Sequence, residues 1–185
     1  MGGHGRIAQA IAWGLTEAEP DTQIHIVDIY SAPYVYRGFA APSNAYDRFV
    51  ARAPWLWGAA FYASRPRPVM SLARRLGTQL TKRKPLRKLV VEGAPDAIVS
   101  VISDFGQLAV VPRLTRPQPP VITVISDLVT IHRGWLSPQA DLLLVPTQPA
   151  YDACRRYKVP PEKLRLVGYP MRSHLFCQDQ PARGP

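Results

Sequence analysis

The sequence predicts an α/β fold built on a parallel sheet, and three observations carry that prediction. Short apolar runs of four to six residues recur at 97–102, 121–125, 141–145 and 164–167. Runs of this kind, mostly apolar although the third opens on Asp141 and the last carries Arg165, suit strands buried in a parallel sheet. Segments with helical spacing or helix-capping residues separate them, and such alternation implies right-handed crossovers. Prolines cluster between the elements, at Pro66 and Pro68, at Pro117, Pro119 and Pro120, and at Pro160 and Pro161, where they break helices and set loops.

Taken in order, the first helix is expected over about 6–15, with Ile7, Ala10, Ile11 and Leu15 on one face. A strand at 24–27 ends at Asp28, and 30–44 read as a loop. Residues 46–61 have helical character interrupted by Pro54, and Pro68 opens a helix running to about Thr81. After the 97–102 strand, Asp104 is placed to cap a helix over 105–114. Thr147 caps another that runs to about Tyr157. In parallel sheets the ligand lies beyond the carboxyl ends of the strands, which here carry Asp28, Ser103, Asp127 and Gly168. A parallel unit also needs a strand before its glycine turn. Only Met1 precedes Gly2, so the sheet is expected to lack its first strand and the chain to be a fragment of a longer protein.

The chain's 185 residues fit one domain, at about 150 residues per domain. A composition 46% hydrophobic and 19% charged can bury a core, which excludes global disorder. No uncharged apolar run approaches the length of about 18 residues that a membrane span requires. The start, MGGHGRIAQA, lacks the basic-then-apolar order of a signal peptide. Two cysteines, Cys154 and Cys177, are too few for a disulfide framework or a zinc site, so reduced cytosolic thiols and no metal are expected.

Lys and Arg exceed Asp and Glu by ten, which favours an anionic partner. Nine of the cations lie between Arg65 and Lys88 with no acidic residue among them. Within that stretch Val69, Leu72, Leu76 and Leu80 recur at helical spacing, while Arg74, Arg75, Lys82, Arg83 and Lys84 supply a cationic face and tail. A basic amphipathic helix lies on an anionic membrane, each cation near the surface contributing about 1 kcal/mol. The competing readings are a solvated basic loop and a nucleic-acid surface. The second is not expected, because the patch has little aromatic interleaving and no RNA-binding or zinc motif.

Two constellations have chemical potential. Gly2-Gly3-His4-Gly5 lets the backbone turn tightly at a helix start, where free N–H groups attract anions. Gly3, Gly5 and Ala8 with Asp28 fit a degenerate dinucleotide fingerprint; alternatively His4 faces the cleft as a general base, or is simply a solvated histidine on a loose start. The second constellation runs from Ile125 to Trp135 and gathers Asp127, His132 and Trp135 on one loop. A carboxylate and an imidazole can orient an acceptor hydroxyl, and an indole offers a flat surface to a sugar or glycerol. The plainer reading is an N-cap Asp beside a half-buried Trp.

Read as TVISDLVTIHRGW from Thr123 to Trp135, then Asp141, then Gly168-Tyr169-Pro170-Met171-Arg172 and on to Phe176, the chain resembles monogalactosyldiacylglycerol synthases and bacterial processive diacylglycerol glucosyltransferases. The glycine-rich start with its Ala-rich helix, Val27-Asp28-Ile29-Tyr30, Tyr46-Asp47, Trp57 to Tyr62 and Pro95-Asp96-Ala97-Ile98-Val99-Ser100 extend the likeness over nearly all of 2–176. Two local departures stand out. Val101-Ile102-Ser103-Asp104 replaces the family's His-Pro, so a ligand contact there is lost or passes to Ser103 or Asp104, and Gly5 stands where Arg is common. These enzymes have a second, nucleotide-sugar-binding domain, and by the resemblance these 185 residues are expected to be only the acceptor-side half.

The resemblance implies the Rossmann-like N-terminal, acceptor-side half of a GT-B glycosyltransferase over 1–176, followed by a linker or tail at 177–185. The implied reaction is inverting and metal-free, moving a hexose from a UDP-sugar to diacylglycerol with no resident cofactor. In that reading His4 and Asp127 are the catalytic candidates, and Gly2, Gly3, His132 and Trp135 shape the acceptor site. The implied partners are diacylglycerol, an anionic lipid surface on the cytoplasmic face, where the protein is peripheral, and the missing donor domain. Two other readings stay open: a non-catalytic lipid- or nucleotide-binding module from a split gene, and an NAD(P)-binding domain.

Overall fold

The computed structural model describes residues 3–31, 33–36, 51–113 and 117–170. Four strands, β1 (Ile98–Ser100), β2 (Val121–Val124), β3 (Leu142–Val145) and β4 (Leu164–Leu166), form one sheet in the order β1-β2-β3-β4, each neighbouring pair parallel. This is the α/β, Rossmann-like arrangement that the apolar runs imply. Thr123 stands opposite Ser100 on one side and Leu143 on the other, and Leu143 in turn opposite Leu164. The two inner strands are the most buried: β2 hides Val121, Thr123 and Val124, and β3 its alternate residues Leu143 and Val145.

The core beside β3 is closed by a helix whose formation the sequence explains. Thr147 accepts a hydrogen bond from the Ala150 N–H at 3.3 Å, Pro149 sits in the first turn, and the helix Gln148–Arg156 follows. It buries Ala150, Ala153 and Cys154 against Ile125, Val145 and Leu164. Burial pushes the Cys154 thiol up to about 11, so the sulfur is an inert packing group. Cys177 lies outside the described residues.

Among the described residues the N-terminal part contributes the helices α1 (Gly3–Ala18), α2 (Pro54–Ala63), α3 (Arg67–Leu80) and α4 (Arg83–Gly93), which makes the helix after β3 α5. The first runs longer than its periodicity indicates at both ends and buries Ile7 and Ala10. Pro54 interrupts the helical stretch as expected: Ala51 and Arg52 are helical, the helix breaks at Ala53, and Pro54 starts the next one, where a missing N–H costs nothing in a first turn; residues 46–50 lie outside the described residues.

Three expectations are corrected. The basic tail after residue 81 is not loose: it folds as α4, which buries Leu86 and Val90 against Val110 and Val111. The helix expected over 105–114 is a 3₁₀ helix, Leu108–Arg113, with Pro112 unable to donate an α-helical hydrogen bond; residue 114 lies outside the described residues. Asp104 does cap it, its Oδ1 accepting from the N–H groups of Gly106 (2.8 Å) and Leu108 (3.2 Å). Residues 24–27 form no strand. A strand needs a lateral hydrogen-bonded partner, this segment has none among the described residues, and Ile26 and Val27 stay exposed.

Helix α3 meets the loop after β1 backbone to backbone. A Cβ on Gly77 would lie 1.6 Å from the Phe105 carbonyl oxygen, and one on Gly106, at φ 112°, would lie 2.1 Å from that of Arg74. That contact fixes α3 against the carboxyl end of the sheet and brings Arg74 to the site described next.

Candidate functional site

The loop that leaves β2 carries Asp127 and then a short 3₁₀ turn, Arg133–Trp135. Oδ2 of Asp127 accepts from the Trp135 indole N–H at 2.9 Å and from the His132 backbone N–H at 3.3 Å. One carboxylate oxygen therefore ties both ends of the turn to the end of β2. Trp135 is 2% exposed and packs with Ile125, Ile131 and Val145 in the main core. His4, exposed in the first turn of α1, stacks obliquely on that indole, with ring centroids 5.8 Å apart and planes inclined at 57°.

His132 is also buried, and its hydrogen bonds define one tautomer. Nδ1 accepts from the Gly134 N–H at 3.0 Å, so the ring proton sits on Nε2, which lies 3.0 Å from Ser64 Oγ. Ser64 Oγ in turn donates to the Ala60 carbonyl of α2 at 2.7 Å. Phe61 packs on the imidazole at 4.9 Å. Burial lowers the His132 pKa below the ordinary histidine value; Asp127 opposes the shift, and Arg65 and Arg74 reinforce it. A neutral ring satisfies every partner, whereas a protonated one would lose its Nδ1 acceptor.

A second set of bonds holds the same turn from behind. The Arg74 guanidinium donates to the carbonyls of Arg133 (2.9 Å), Leu136 (3.0 Å) and Asp104 (3.3 Å), with its Nε 3.9 Å from Asp104 Oδ2. That same Oδ2 accepts from Ser137 Oγ at 2.6 Å. Burial lowers the Arg74 pKa, Asp104 opposes this and Arg133 adds to it, yet an arginine stays charged. Tyr30 donates to the Ser103 carbonyl at 2.8 Å, and its phenol is raised by burial first and by the Asp104 charge second. Arg65 joins α2 and α3 to α5 by donating to Tyr157 Oη at 2.6 Å, while its own carbonyl accepts from Arg133 Nε at 2.9 Å.

The structure therefore brings His4, Trp135, Asp127 and His132 together, but on different terms from those expected. His4 alone of the four is exposed. Trp135 and His132 present no open face to a ligand, because α2, α1 and the core cover them; they are struts of the site rather than its surface. Asp127 is engaged through Oδ2 with both of them. Gly3 begins α1 with open space where a side chain would be, and Gly2 lies outside the described residues. Asp28, the residue a dinucleotide reading would place on a ribose, accepts from the Tyr30 N–H at 3.0 Å. Asp104, a candidate replacement for a lost ligand contact, is a buried hub.

Among the basic residues, Arg74 is a clasp on backbone carbonyls and not a surface cation. Arg75, Arg83 and Lys84 are exposed, and Lys82 is half-buried with its ammonium 5.6 Å over the Tyr36 ring. The apolar stripe of α3 faces outward, Val69, Leu72 and Leu76 being exposed while Met70 is buried. Helix α2 was not recognised as an exposed apolar element: Trp55 is 74% and Tyr62 62% accessible, and no residue of the helix is buried. Its composition, PWLWGAAFYA, was the available signal.

Among the described residues no group of three or more His, Cys, Asp or Glu could hold a metal ion, and no helix is long and apolar enough to cross a membrane. No curated protein matches the chain. The family model for monogalactosyldiacylglycerol (MGDG) synthase matches residues 4–171, a span that takes in the described elements from α1 to β4. The chain belongs to the monogalactosyldiacylglycerol synthase family, and these residues form its N-terminal, Rossmann-like domain.

Proposed function

We propose that this chain is the acceptor-side half of a glycosyltransferase that moves a hexose from a UDP-sugar to the hydroxyl of diacylglycerol at a membrane surface. Membership of a glycolipid glycosyltransferase family supplies the reaction class. One observation carries the assignment of a reacting group. His4 stands exposed at the amino end of α1, against an indole that Asp127 holds in place. A base must be open to its substrate yet fixed in direction, and His4 meets both conditions.

In this reading His4 takes the proton of the acceptor hydroxyl as that oxygen bonds to the anomeric carbon. The bond from that carbon to the UDP oxygen breaks from the opposite face, and UDP leaves with the electron pair, so the configuration inverts. The free N–H groups of the first turn of α1 favour negative charge nearby. The UDP-sugar is held by a donor-side domain outside residues 1–185. Asp127 acts through Trp135 and His132, as a positioning residue.

Access to the lipid is proposed to come from the outward residues of α2 and α3, Trp55, Tyr62, Leu72 and Leu76, flanked by Arg75 and Lys84. The protein would then be peripheral on the cytoplasmic face. Vesicle flotation tests this part. Phosphatidylglycerol vesicles should retain the chain and phosphatidylcholine vesicles should not, with weaker binding as the Debye length falls from about 10 Å at 0.1 M to about 3 Å at 1 M salt. Equal binding to both would contradict it.

The catalytic part is tested by supplying the donor half. Residues 1–185 alone should show no transfer, because half a cleft cannot hold both reactants in attack geometry. Joined to a second domain that binds the UDP-sugar, they should glycosylate diacylglycerol. Turnover by the chain alone, or transfer only to a water-soluble acceptor, would overturn the proposal.

A further inference from the structure

A groove of about 950 Å³ opens on the far side of the 3₁₀ turn that carries His132 and Trp135, between α3 and the connection from α5 to β4. Its floor includes the buried Met70, Leu143 and Val159. Seven lining residues are cationic and none is acidic. Three of the seven are engaged: Arg74 and Arg133 with the carbonyls described above, and Lys163 with the Ala140 carbonyl at 2.9 Å. The side chains of the other four, Arg67, Arg75, Arg83 and Lys158, have no hydrogen-bond or ion-pair partner among the described residues. Like charges gathered around one concavity repel each other, and a bound anion relieves that repulsion beyond what solvent screening does.

Lys158 adds an independent sign. It sits just past the end of α5 at φ 64°, the left-handed conformation in which a helix normally ends on glycine or asparagine. A lysine there is strained relative to glycine, and strain of this kind points to a use for the side chain. We propose that this groove binds a phosphate-bearing anion, a phosphate ester held between α3 and the α5–β4 connection. Three of the four unpartnered cations are arginines, whose planar forks match phosphate oxygens. The volume leaves room for the organic part of the ester over the apolar floor.

The test uses the 185-residue chain with pyrophosphate as the free probe and phosphatidylglycerol vesicles as the lipid probe. Pyrophosphate should bind and raise the melting temperature, and Lys158→Gly should weaken it by about tenfold or more, the loss of one charge-assisted contact. The same substitution should raise the melting temperature of the unliganded protein by about 2–4 °C, because it removes left-handed strain. A merely structural lysine would not separate these readouts. Arg67→Gln with Arg75→Gln should weaken pyrophosphate without the stabilisation. Vesicles that compete with pyrophosphate identify a lipid headgroup as the source, and vesicles that do not compete identify a free phosphate ester. Leu72→Ser with Leu76→Ser should leave pyrophosphate binding intact even where vesicle binding is lost. No pyrophosphate binding at millimolar concentration, or undiminished binding by Lys158→Gly and by the double arginine variant, would overturn the proposal.

Discussion

His4 and His132 stand in two regions joined by the Asp127–Trp135 bond, and they are built for opposite work. His4 occupies the first turn of a helix and is exposed, its ring touching the indole at 5.8 Å. His132 is 6% exposed, its Nδ1 is filled by Gly134 and its Nε2 faces Ser64, and its pKa is lowered by burial. An imidazole that has filled both nitrogens with protein partners cannot exchange a proton with a substrate without breaking the turn. His4 has neither nitrogen filled by a partner among the described residues, so no such break is needed there. The difference sets apart a histidine whose ring nitrogens are used by the fold from one that is exposed, and it is the reason His4 rather than His132 is proposed as the base.

The comparison breaks most severely at the indole they share. Trp135→Ala should cost about 3–5 kcal/mol, because a core aromatic is lost and His4 loses its backing. Chemical denaturation of the isolated chain measures it, and a loss under about 1 kcal/mol would mean that the indole is not the strut described.

Asp127→Ala should cost about 1–3 kcal/mol by stranding the indole N–H and the His132 N–H. Asp127→Asn keeps an acceptor oxygen and should recover most of that stability. In the complete enzyme Asn should also recover most of kcat, whereas a catalytic carboxylate would not be rescued.

His132→Phe should cost a similar or smaller amount, about 1–2 kcal/mol, by leaving the Gly134 N–H without its acceptor. It also carries a pH signature. The folded pKa lies below the unfolded value of about 6.5, so as pH falls through about 6.5 the unfolded chain takes up the proton first. Wild-type stability should therefore decline below about pH 6.5 and level off once the folded ring titrates. In His132→Phe that part of the decline should vanish, while the contributions of the other histidines remain in both proteins. Identical slopes would contradict a buried neutral imidazole.

The smallest effect belongs to the exposed cations. Arg75→Gln and Lys84→Gln should each change stability by no more than about 0.5 kcal/mol, in contrast to Arg74→Gln, which takes the guanidinium donor away from the carbonyls of Asp104, Arg133 and Leu136. A large loss from either surface change would mean that the basic face is structural after all.

Much of this was legible in the chain and some was not, for physical reasons. The two inner strands were the most legible because a strand covered on both faces is largely apolar, as Val121–Val124 and Leu142–Val145 are with Thr123 their one polar residue, whereas the edge strand Leu164–Leu166 carries Arg165 and leaves Leu166 exposed. The 24–27 segment has the same character, yet apolar residues make a strand only where a neighbour completes the ladder. Helix α4 was hidden by its own charges: Leu86, Leu89 and Val90 have helical spacing, but Arg83, Lys84, Arg87 and Lys88 dominate the stretch. The glycine turn pointed to His4, since it is a local feature. The burial of His132 and Trp135 was not legible, because the groups that cover them come from α1 and α2, far along the sequence. The same is true of Arg74, whose partners lie at Asp104, Arg133 and Leu136.

The most direct test of the division between the two histidines is kcat for His4→Ala in the complete enzyme, read beside the melting temperature of the same variant. If His4 is the base, kcat should fall by about 10²–10⁴-fold while the melting temperature stays at the wild-type value. Near-normal kcat in His4→Ala, or a loss confined to KM, would contradict the account.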